Sequence, residues 1–430
     1  MPEGIEPGAP QQISITPLLR RLWPSPAENQ VTAEEIAVAI SHIFTDQLSP
    51  VQAGALLTCL HFTGWDRRAD VIARCAQAMR DAAAPIDNDG LRRVVKARGK
   101  PEGQYEGGLP SSQFLSSLLT HAQCDIVGTG GDSHHTFNIS TTSSILASSL
   151  LLLSKHGNRA STSKSGSADL LACTLPTAPN LQAITPENIL RTYERTNYAF
   201  LFAPVFHPGM RYVAPIRKEL GWRTIFNLLG PLANPVEALI EARLLGVARR
   251  DIGPVFADAL RMSGAAKAMV VCGEEDLDEI SCAGRTYCWM LKEKEVRADS
   301  AARDKETEVQ HFTISAADFG LSAHALEDVS PGKEPHENAA ILVSILQNRV
   351  PRDDPILEFV LMNTAALFVV SGLCEADTSD MGHGDDGNVI RERGPGGGRW
   401  KEGVRRARWA VESGEAWKQW TRFVDVSNSF

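Results

Sequence analysis

The sequence predicts an α/β protein in which a small helical domain precedes a larger domain built on a mostly parallel β-sheet. Apolar residues recur at helical spacing from residue 15 to about residue 84. Beyond residue 124, short apolar runs alternate with helical patterns, which is typical of parallel strands joined by helices. A length of 430 residues, 43% of them hydrophobic, is sufficient for two domains of this kind.

The first domain carries two helix start signals. Thr32 and Glu35 have the spacing of a capping box, in which each residue's side chain bonds the other's backbone. Ser49 is followed by Pro50, which suits the first position of a helix. These signals and the periodicity predict a small helical domain over residues 13–87.

Changes in composition predict the remaining boundaries. Residues 1–12 are rich in Pro and Gly and are predicted to be flexible. Residues 88–120 lose the helical pattern and are predicted to form an insertion or linker. The α/β domain is predicted over 121–430, with insertions near 292–335 and 375–400, where charged or Gly-rich stretches interrupt the pattern.

Within the predicted α/β domain, the run CDIVGTGGD predicts a strand that ends in a glycine loop. TSSILASSLLLLSK is predicted to form one helix after that loop, and YAFLFAPVF a buried strand or tight turn. ARLLGV, DIGPVFADALRMSG and AKAMVVCG predict strand, helix and strand, and a final helix is predicted near 401–424.

Composition disfavours several classes of partner. A formal net charge of −9 argues against nucleic acid or an anionic membrane as the ligand. The eight cysteines are scattered, with no CxxC pair, so buried reduced thiols are predicted rather than disulfides or a zinc site. No apolar run is long enough to span a bilayer, and no targeting segment is evident, so we expect a cytoplasmic protein.

The stretch DIVGTGGDSHHTFNIST predicts an anion-binding loop. Gly128, Gly130 and Gly131 allow backbone N–H groups to approach a ligand, and a helix is predicted to begin close behind them. Small polar residues follow at the point where that helix should start. The loop matches neither GxxxxGK[ST] nor GxGxxG. The alternative is a tight strand-to-helix turn that binds nothing.

A second polar loop, KHGNRASTSKSGSADLL, follows the predicted helix. Lys155, Arg159 and Lys164 stand among small hydroxyl residues, a combination that neutralises phosphate and bonds its oxygens. Two such loops around one helix can face one ligand. The alternative is a solvated basic loop.

Two further clusters are candidates for ligand contacts. Asp278 and Glu279 follow a predicted strand and suit Mg²⁺ that is also held by ligand phosphates, although a solvated acidic turn is the alternative. Arg211 and Arg217 lie in a moderately apolar stretch, where an arginine can bind a carboxylate bidentately or form a surface ion pair.

Together these motifs resemble the anthranilate phosphoribosyltransferase family. GTGGD…TFNIST, KHGNR, RTIFNLLGPLANP and LDE occur in the family's order and approximate spacing. The resemblance implies a two-domain fold shared with pyrimidine nucleoside phosphorylases, in which part of 180–210 joins the helical domain, and a homodimer. It implies Mg²⁺-dependent transfer of the ribosyl phosphate of phosphoribosyl pyrophosphate (PRPP) to the amine of anthranilate, in tryptophan biosynthesis.

The resemblance also implies site residues. Mg²⁺ would be held by Ser140, Asp278 and Glu279. Anthranilate would be held by Gly128, Asn158 and Arg217. The residues implied for PRPP are Gly128, Gly131, Asp132, Thr136, Asn138, Ser140, Thr141, Lys155, Ser163 and Ser167.

No catalytic acid or base is assigned, because an arylamine is already uncharged at neutral pH and no nucleophile–base constellation is evident. One departure from the family pattern is Ser133, which stands where the family often has glycine. Two other functions are considered: a pyrimidine nucleoside phosphorylase, and a non-enzymatic relative that binds nucleic acid. The NIST and KHGNR motifs disfavour the first, and the net charge of −9 with the intact Asp278–Glu279 pair disfavours the second.

Overall fold

The computed structural model describes residues 11–23, 30–98, 123–160, 164–265, 267–293, 307–330 and 334–430. The chain divides into two compact units. One comprises the described residues of Met1–Ala84 together with Phe206–Pro235, and the other those of Pro85–Val205 and Val236–Phe430. The two units are a helical unit and an α/β unit, as the sequence predicts.

The helical unit forms around α2 and α4, which pack against each other. The predicted capping box is present: the Glu35 N–H donates to the Thr32 hydroxyl at 3.2 Å, and the Thr32 N–H donates to the Glu35 carboxylate at 2.9 Å. Ser49 caps the next helix by accepting from the Gln52 N–H at 3.3 Å. The helices are α1 (Thr16–Leu22), α2 (Ala33–Phe44), α3 (Pro50–Thr63), α4 (Ala69–Asp81), α10 (Met210–Leu220) and α11 (Phe226–Leu229).

The segment Phe206–Pro235 belongs to the helical unit. It overlaps the stretch 180–210, part of which the family resemblance places there, at residues 206–210 and continues beyond that stretch. The Ala84 N–H donates to the Phe206 carbonyl at 2.8 Å. Arg80 donates to the Leu232 carbonyl at 2.6 Å. These bonds connect the two stretches of chain that build the unit, a long-range pairing that local periodicity does not reveal.

The α/β unit contains one seven-stranded sheet of order β3-β2-β1-β4-β5-β6-β7. β1 to β5 are parallel, and β6 and β7 extend the sheet with antiparallel pairing. The strands are β1 (Gln123–Gly128), β2 (Leu152–Gly157), β3 (Tyr198–Phe202), β4 (Ile240–Gly246), β5 (Lys267–Gly273), β6 (Thr286–Glu293) and β7 (Thr307–Ile314). The predicted mostly parallel sheet is confirmed.

Helices surround this sheet. They are α5 (Asn88–Arg98), α6 (Ile139–Ala147), α7 (Ser167–Ala172), α8 (Ile189–Arg195), α9 (Ala203–Phe206, at the unit boundary), α12 (Gly253–Met262), α13 (Leu326–Val329), α14 (Pro335–Leu346), α15 (Pro355–Ser371), α16 (Trp400–Glu412) and α17 (Glu415–Asn428). Every residue of α15 from Leu357 to Val370 is buried. No helix among the described residues combines the length and apolar character needed to cross a bilayer.

Several local predictions are wrong. TSSILASSLLLLSK forms α6 and then strand β2, because a short apolar run fits a buried strand as well as a helix. Within the predicted linker 88–120, residues 88–98 form α5, and residues 99–120 lie outside the described part. The predicted final helix is two helices that meet at Gly414, whose φ of 77° is unfavourable for other residues.

The two predicted insertions of the α/β unit contain defined structure. Within 292–335, β7 pairs with β6, and α13 follows. Within 375–400, Asp385 forms an ion pair with Arg405 at 2.8 Å. The His383 carbonyl accepts from the Trp409 indole at 3.0 Å. Contacts with α16 therefore hold a stretch that is predicted from composition alone to be irregular.

Candidate functional site

The predicted glycine loop lies at the carboxyl end of β1. In the sheet order, the chain proceeds from β1 to β2 and β3 on one side and returns to β4 and β5 on the other. The carboxyl ends of β1 and β4 therefore form a topological switch point, where open α/β sheets place their ligands. Gly128 is the last residue of β1 and pairs with Gly246, the last residue of β4.

The loop after β1 has an unusual backbone. Gly130 and Gly131 have φ values of 67° and 81°. Ser133 and His135 also lie in the left-handed region, at 66° and 53°. The Ser133 departure thus falls on a position whose backbone conformation favours glycine. An additional contact anchors the loop: the His134 side chain hydrogen-bonds the carbonyl of Glu275 at 2.7 Å.

Asp278 packs against the two strand-terminal glycines. The Gly130 N–H donates to its carboxylate at 2.5 Å. A Cβ on Gly128 would lie 2.3 Å from the Asp278 Oδ2, and a Cβ on Gly246 would lie 1.6 Å from the Asp278 carbonyl oxygen. Both strand ends must therefore lack side chains for Asp278 to occupy this position.

Glu279 lies beside the start of α6. The Thr136 hydroxyl donates to its carboxylate at 3.2 Å. Burial raises the pKa of both Asp278 and Glu279. The negative charge of Asp132 raises both pKa values further. The negative charge of Asp278 also raises the pKa of Glu279. The three carboxyl groups are close enough to repel one another, which is the local situation that a bound cation relieves.

The first turn of α6 joins the two polar loops. The Asn138 side chain donates to the Ser165 carbonyl at 2.9 Å and accepts from the Ser165 hydroxyl at 3.1 Å. The Thr141 hydroxyl donates to that of Ser167 at 2.8 Å. The structure therefore brings the two predicted loops together around one helix.

Lys155 lies in β2 and is 2% exposed. Its ammonium donates to the Ile126 carbonyl at 2.7 Å and to the Ser140 hydroxyl at 3.4 Å. Burial lowers the pKa of Lys155, although the charges of Asp125 and Glu279 oppose this shift. The Lys155 ammonium is thus positioned behind the first turn of α6.

Asp169 organises the second loop. It accepts hydrogen bonds from the Ala160 N–H at 2.7 Å and the Gly166 N–H at 3.2 Å, and it pairs with Arg159 at 3.2 Å. Asn158 is exposed, and its side-chain oxygen accepts from the Arg159 N–H at 2.8 Å.

Two predicted site residues are not placed with this cluster. Ser163 lies outside the described residues. Arg217 belongs to the last turn of α10 in the helical unit. Burial lowers its pKa, and the neighbouring charge of Arg223 lowers it further. Its contact with anthranilate stays a prediction.

The described residues fit Mg²⁺ that shares its coordination with ligand phosphates. No three His, Cys, Asp or Glu side chains in the described part of the chain meet to hold a metal by themselves. Phosphate-bound Mg²⁺ usually needs only one or two protein carboxylates. Asp278, Glu279 and the Ser140 hydroxyl would supply hard oxygen ligands of the appropriate kind.

Sequence reasoning overlooked Gly246 and Asp169. Gly246 could have been found, because it ends a predicted strand in the same way as Gly128. The role of Asp169 depends on a folded loop and has no local signal. A cavity of about 260 Å³ elsewhere in the α/β unit contains no predicted site residue and is lined by Asn348, Val350, Arg352, Leu357, Leu361, Arg408, Val411 and Glu412.

Comparison with known proteins identifies the family. Residues 16–83 match the helical bundle domain of a glycosyl transferase family, and residues 120–417 match its a/b domain. Anthranilate phosphoribosyltransferase of Schizosaccharomyces pombe is 36% identical over 398 residues, which cover 92% of this chain and 93% of that relative. The chain belongs to the anthranilate phosphoribosyltransferase family. The motif-based resemblance is thereby confirmed.

Solved structures of anthranilate phosphoribosyltransferase support the same assignment. The enzyme from Saccharomyces cerevisiae in complex with PRPP and Mg has a TM-score of 0.72 and 28% identity, covering 96% of this chain and 97% of that one. The same enzyme in complex with 4-fluoroanthranilate has a TM-score of 0.71 and 26% identity, with the same coverage.

The Gly246 contact gives a first prediction. Gly246→Ala should lower the free energy of unfolding by about 1–3 kcal/mol, because the new methyl group overlaps the Asp278 backbone. Urea unfolding followed by circular dichroism measures this change. Gly54→Ala is the control, since its Cβ would meet nothing closer than 3.9 Å. Equal stability of the Gly246→Ala and wild-type proteins would contradict the predicted overlap.

Proposed function

We propose that this chain transfers the 5-phosphoribosyl group of PRPP to the amine of anthranilate in tryptophan biosynthesis, with Mg²⁺ as cofactor. The products are N-(5-phosphoribosyl)anthranilate and pyrophosphate. The observation that carries the proposal is the meeting of two polar loops and the Asp278–Glu279 pair at the switch point of the sheet. The family assignment and the PRPP and 4-fluoroanthranilate complexes of the yeast enzyme support it.

The two loops would bind the donor. Backbone N–H groups around Gly131 and the small hydroxyl residues of α6 and α7 suit phosphate oxygens. Lys155 would contribute positive charge through the Ser140 hydroxyl that it contacts. In our assignment, Asp132, Thr136, Asn138, Thr141 and Ser167 complete this binding surface, and the implied contact of Ser163 stays a prediction.

The reaction requires little acid–base chemistry. The C1–O bond to pyrophosphate breaks with its electron pair leaving on oxygen, and the amine lone pair forms the new C1–N bond. The amine then loses one proton to solvent. Bound Mg²⁺, held by Ser140, Asp278 and Glu279, would supply positive charge next to the pyrophosphate oxygens.

The site's own residues contribute orientation and preorganised electrostatics. The contacts of Gly130 with Asp278 and of His134 with Glu275 anchor the loop, so its remaining N–H groups would stabilise the developing charge with little reorganisation. Arg217 would hold the anthranilate carboxylate, with Asn158 and Gly128 beside the acceptor, which orients the amine for attack.

Anthranilate fluorescence provides the direct test of this function. Purified protein is incubated with anthranilate, PRPP and Mg²⁺, and loss of fluorescence is followed. We expect a loss that requires all three components and stops when EDTA is added. Turnover of a pyrimidine nucleoside with phosphate, and no loss of anthranilate, would instead favour the phosphorylase function.

Asp278 is expected to act on the donor side. Asp278→Ala should lower kcat/KM for PRPP by about 10²-fold, because a group that stabilises the leaving pyrophosphate is lost. Initial rates at several Mg²⁺ concentrations measure this effect. Glu274→Ala, an exposed position in the same segment, is the matched control and should behave like the wild-type protein. An unchanged PRPP dependence in Asp278→Ala would contradict the assignment.

Arg217 is expected to act on the acceptor side. Arg217→Ala should raise the KM for anthranilate by about 10-fold or more, because a charged hydrogen bond to the carboxylate is lost. The KM for PRPP should stay close to the wild-type value. Arg211→Ala, an exposed arginine six residues earlier in α10, is the control. Unchanged anthranilate saturation in Arg217→Ala would refute the role of Arg217.

We also propose that two copies associate through an apolar face of the helical unit. On α3, Val51 is 82% exposed and Phe62 is 65% exposed. The Phe62 ring contacts the ring of Trp222, itself 41% exposed, at 5.9 Å between centroids. Val51 lies about three helical turns along α3 from Phe62 of the Phe62–Trp222 pair, and exposed apolar side chains of this kind occur at the interfaces of symmetric dimers.

Light scattering after gel filtration tests this association. Phe62→Asp should convert a dimer into a monomer, because a charge would be buried at the interface. Met262→Asp, at an exposed apolar position of the α/β unit, should leave the dimer intact. A wild-type monomer at micromolar concentration would contradict the proposal.

A cytoplasmic location is also proposed. The eight cysteines are free in the structure, which suits a reducing compartment. Recovery of the protein in a non-cytosolic fraction of the cell would contradict this location.

A further inference from the structure

Asn363, on the buried helix α15, bonds both backbone groups of the residue that follows Glu279. Its side-chain oxygen accepts from the Ile280 N–H at 3.0 Å, and its side-chain nitrogen donates to the Ile280 carbonyl at 3.3 Å. The same nitrogen donates to the Phe359 carbonyl, one helical turn earlier, at 3.1 Å. Asn363 is 2% exposed and Ile280 is fully buried.

The two bonds from Asn363 to Ile280 are important because the segment around Asp278 and Glu279 has no regular secondary structure. Residues 274–285 connect β5 to β6 as turns and bends. A buried amide N–H and carbonyl without partners are costly, so the Asn363 side chain replaces the neighbouring strand that Ile280 lacks. The peptide plane between Glu279 and Ile280 is fixed as a result.

The helix that carries Asn363 also contacts the other side of the site. The Ser143 hydroxyl, in the second turn of α6, donates to the Val360 carbonyl of α15 at 3.2 Å. α6 presents Ser140 in its first turn. One buried helix thus fixes both the backbone next to Glu279 and the helix that carries the Ser140 hydroxyl.

We propose that Asn363 is a positioning residue for the Mg²⁺-bound pyrophosphate group of the substrate. Asn363 fixes the position of Glu279 relative to Ser140. The Glu279 carboxylate and the Ser140 hydroxyl, which come from two parts of the chain, are thereby spaced to bind one cation. The inference rests on the proposed function. Partners that orient metal ligands without touching the metal typically change metal affinity strongly when they are removed.

Two variants separate the contributions of Asn363. Asn363→Leu removes both bonds to Ile280 at similar volume. Asn363→Asp retains an acceptor for the Ile280 N–H and removes the donor to the Ile280 carbonyl. Asn197→Leu is the matched control. Asn197 is also buried, and it donates to the carbonyl of Ser148, at the opposite end of α6 from Ser140.

The first readout is the Mg²⁺ concentration that gives half-maximal rate at saturating PRPP and anthranilate. Asn363→Leu should raise it by about 10-fold or more. Asn363→Asp should give a smaller increase, and Asn197→Leu should leave it unchanged despite a comparable loss of stability. The KM for anthranilate should change in none of the three variants.

The second readout is calorimetric titration of PRPP into the protein, with and without Mg²⁺. Asn363→Leu should weaken binding only when Mg²⁺ is present. An unchanged Mg²⁺ requirement in Asn363→Leu, or an equal rise in Asn197→Leu, would overturn the positioning role. If Asn363→Leu does not fold, the comparison of Asn363→Asp with the wild-type protein decides the question.

The titration also distinguishes this inference from the proposed function. A wild-type protein that binds PRPP with Mg²⁺ but consumes no anthranilate would overturn the proposed acceptor, and the affinities of the variants would still decide the role of Asn363. A wild-type protein that binds no PRPP in the presence of Mg²⁺ would overturn both.

Discussion

The site depends on the close packing of Asp278 against two strand ends that have no side chains. Gly128 and Gly246 are paired on neighbouring strands, so the register of β1 and β4 creates the space that Asp278 fills. The hydrogen bond from the Gly130 N–H then links the carboxylate to the glycine loop. A shift of register between β1 and β4 would move the glycines apart and close this space.

The carboxyl groups of Asp132, Asp278 and Glu279 repel one another within this arrangement. Burial raises the pKa values of Asp278 and Glu279, and the charge of Asp132 raises both further, while the charge of Asp278 adds to the rise at Glu279. The burial and mutual repulsion of these carboxyl groups oppose folding. The presence of this cluster is consistent with a site arranged for a positively charged ligand, in which part of the stability of the folded chain is given up for binding.

The sequence predicted what depends on local chemistry. The capping box at Thr32, the glycine loop after β1 and the mostly parallel sheet were all accessible from short-range patterns. Strand β2 was missed because its leucine-rich run fits a helix equally well. The roles of Gly246 and Asn363 were not predicted, because their partners Asp278 and Ile280 lie 32 and 83 residues away in the chain. No pattern in a single sequence encodes such pairings.

The helical unit is completed by chain that is made much later than its first helices. Helices α1 to α4 end at Asp81, whereas the stretch that completes the unit begins at Phe206. At ribosomal rates of about 5–20 residues per second, the intervening chain takes roughly 6–25 s to synthesise. During that interval the apolar faces that α10 and α11 will cover are open on the nascent chain, while β1, β2 and β3 are themselves being synthesised. During its synthesis, this enzyme thus passes through a period in which the apolar faces of its amino-terminal helices must either be covered by another molecule or remain exposed to solvent.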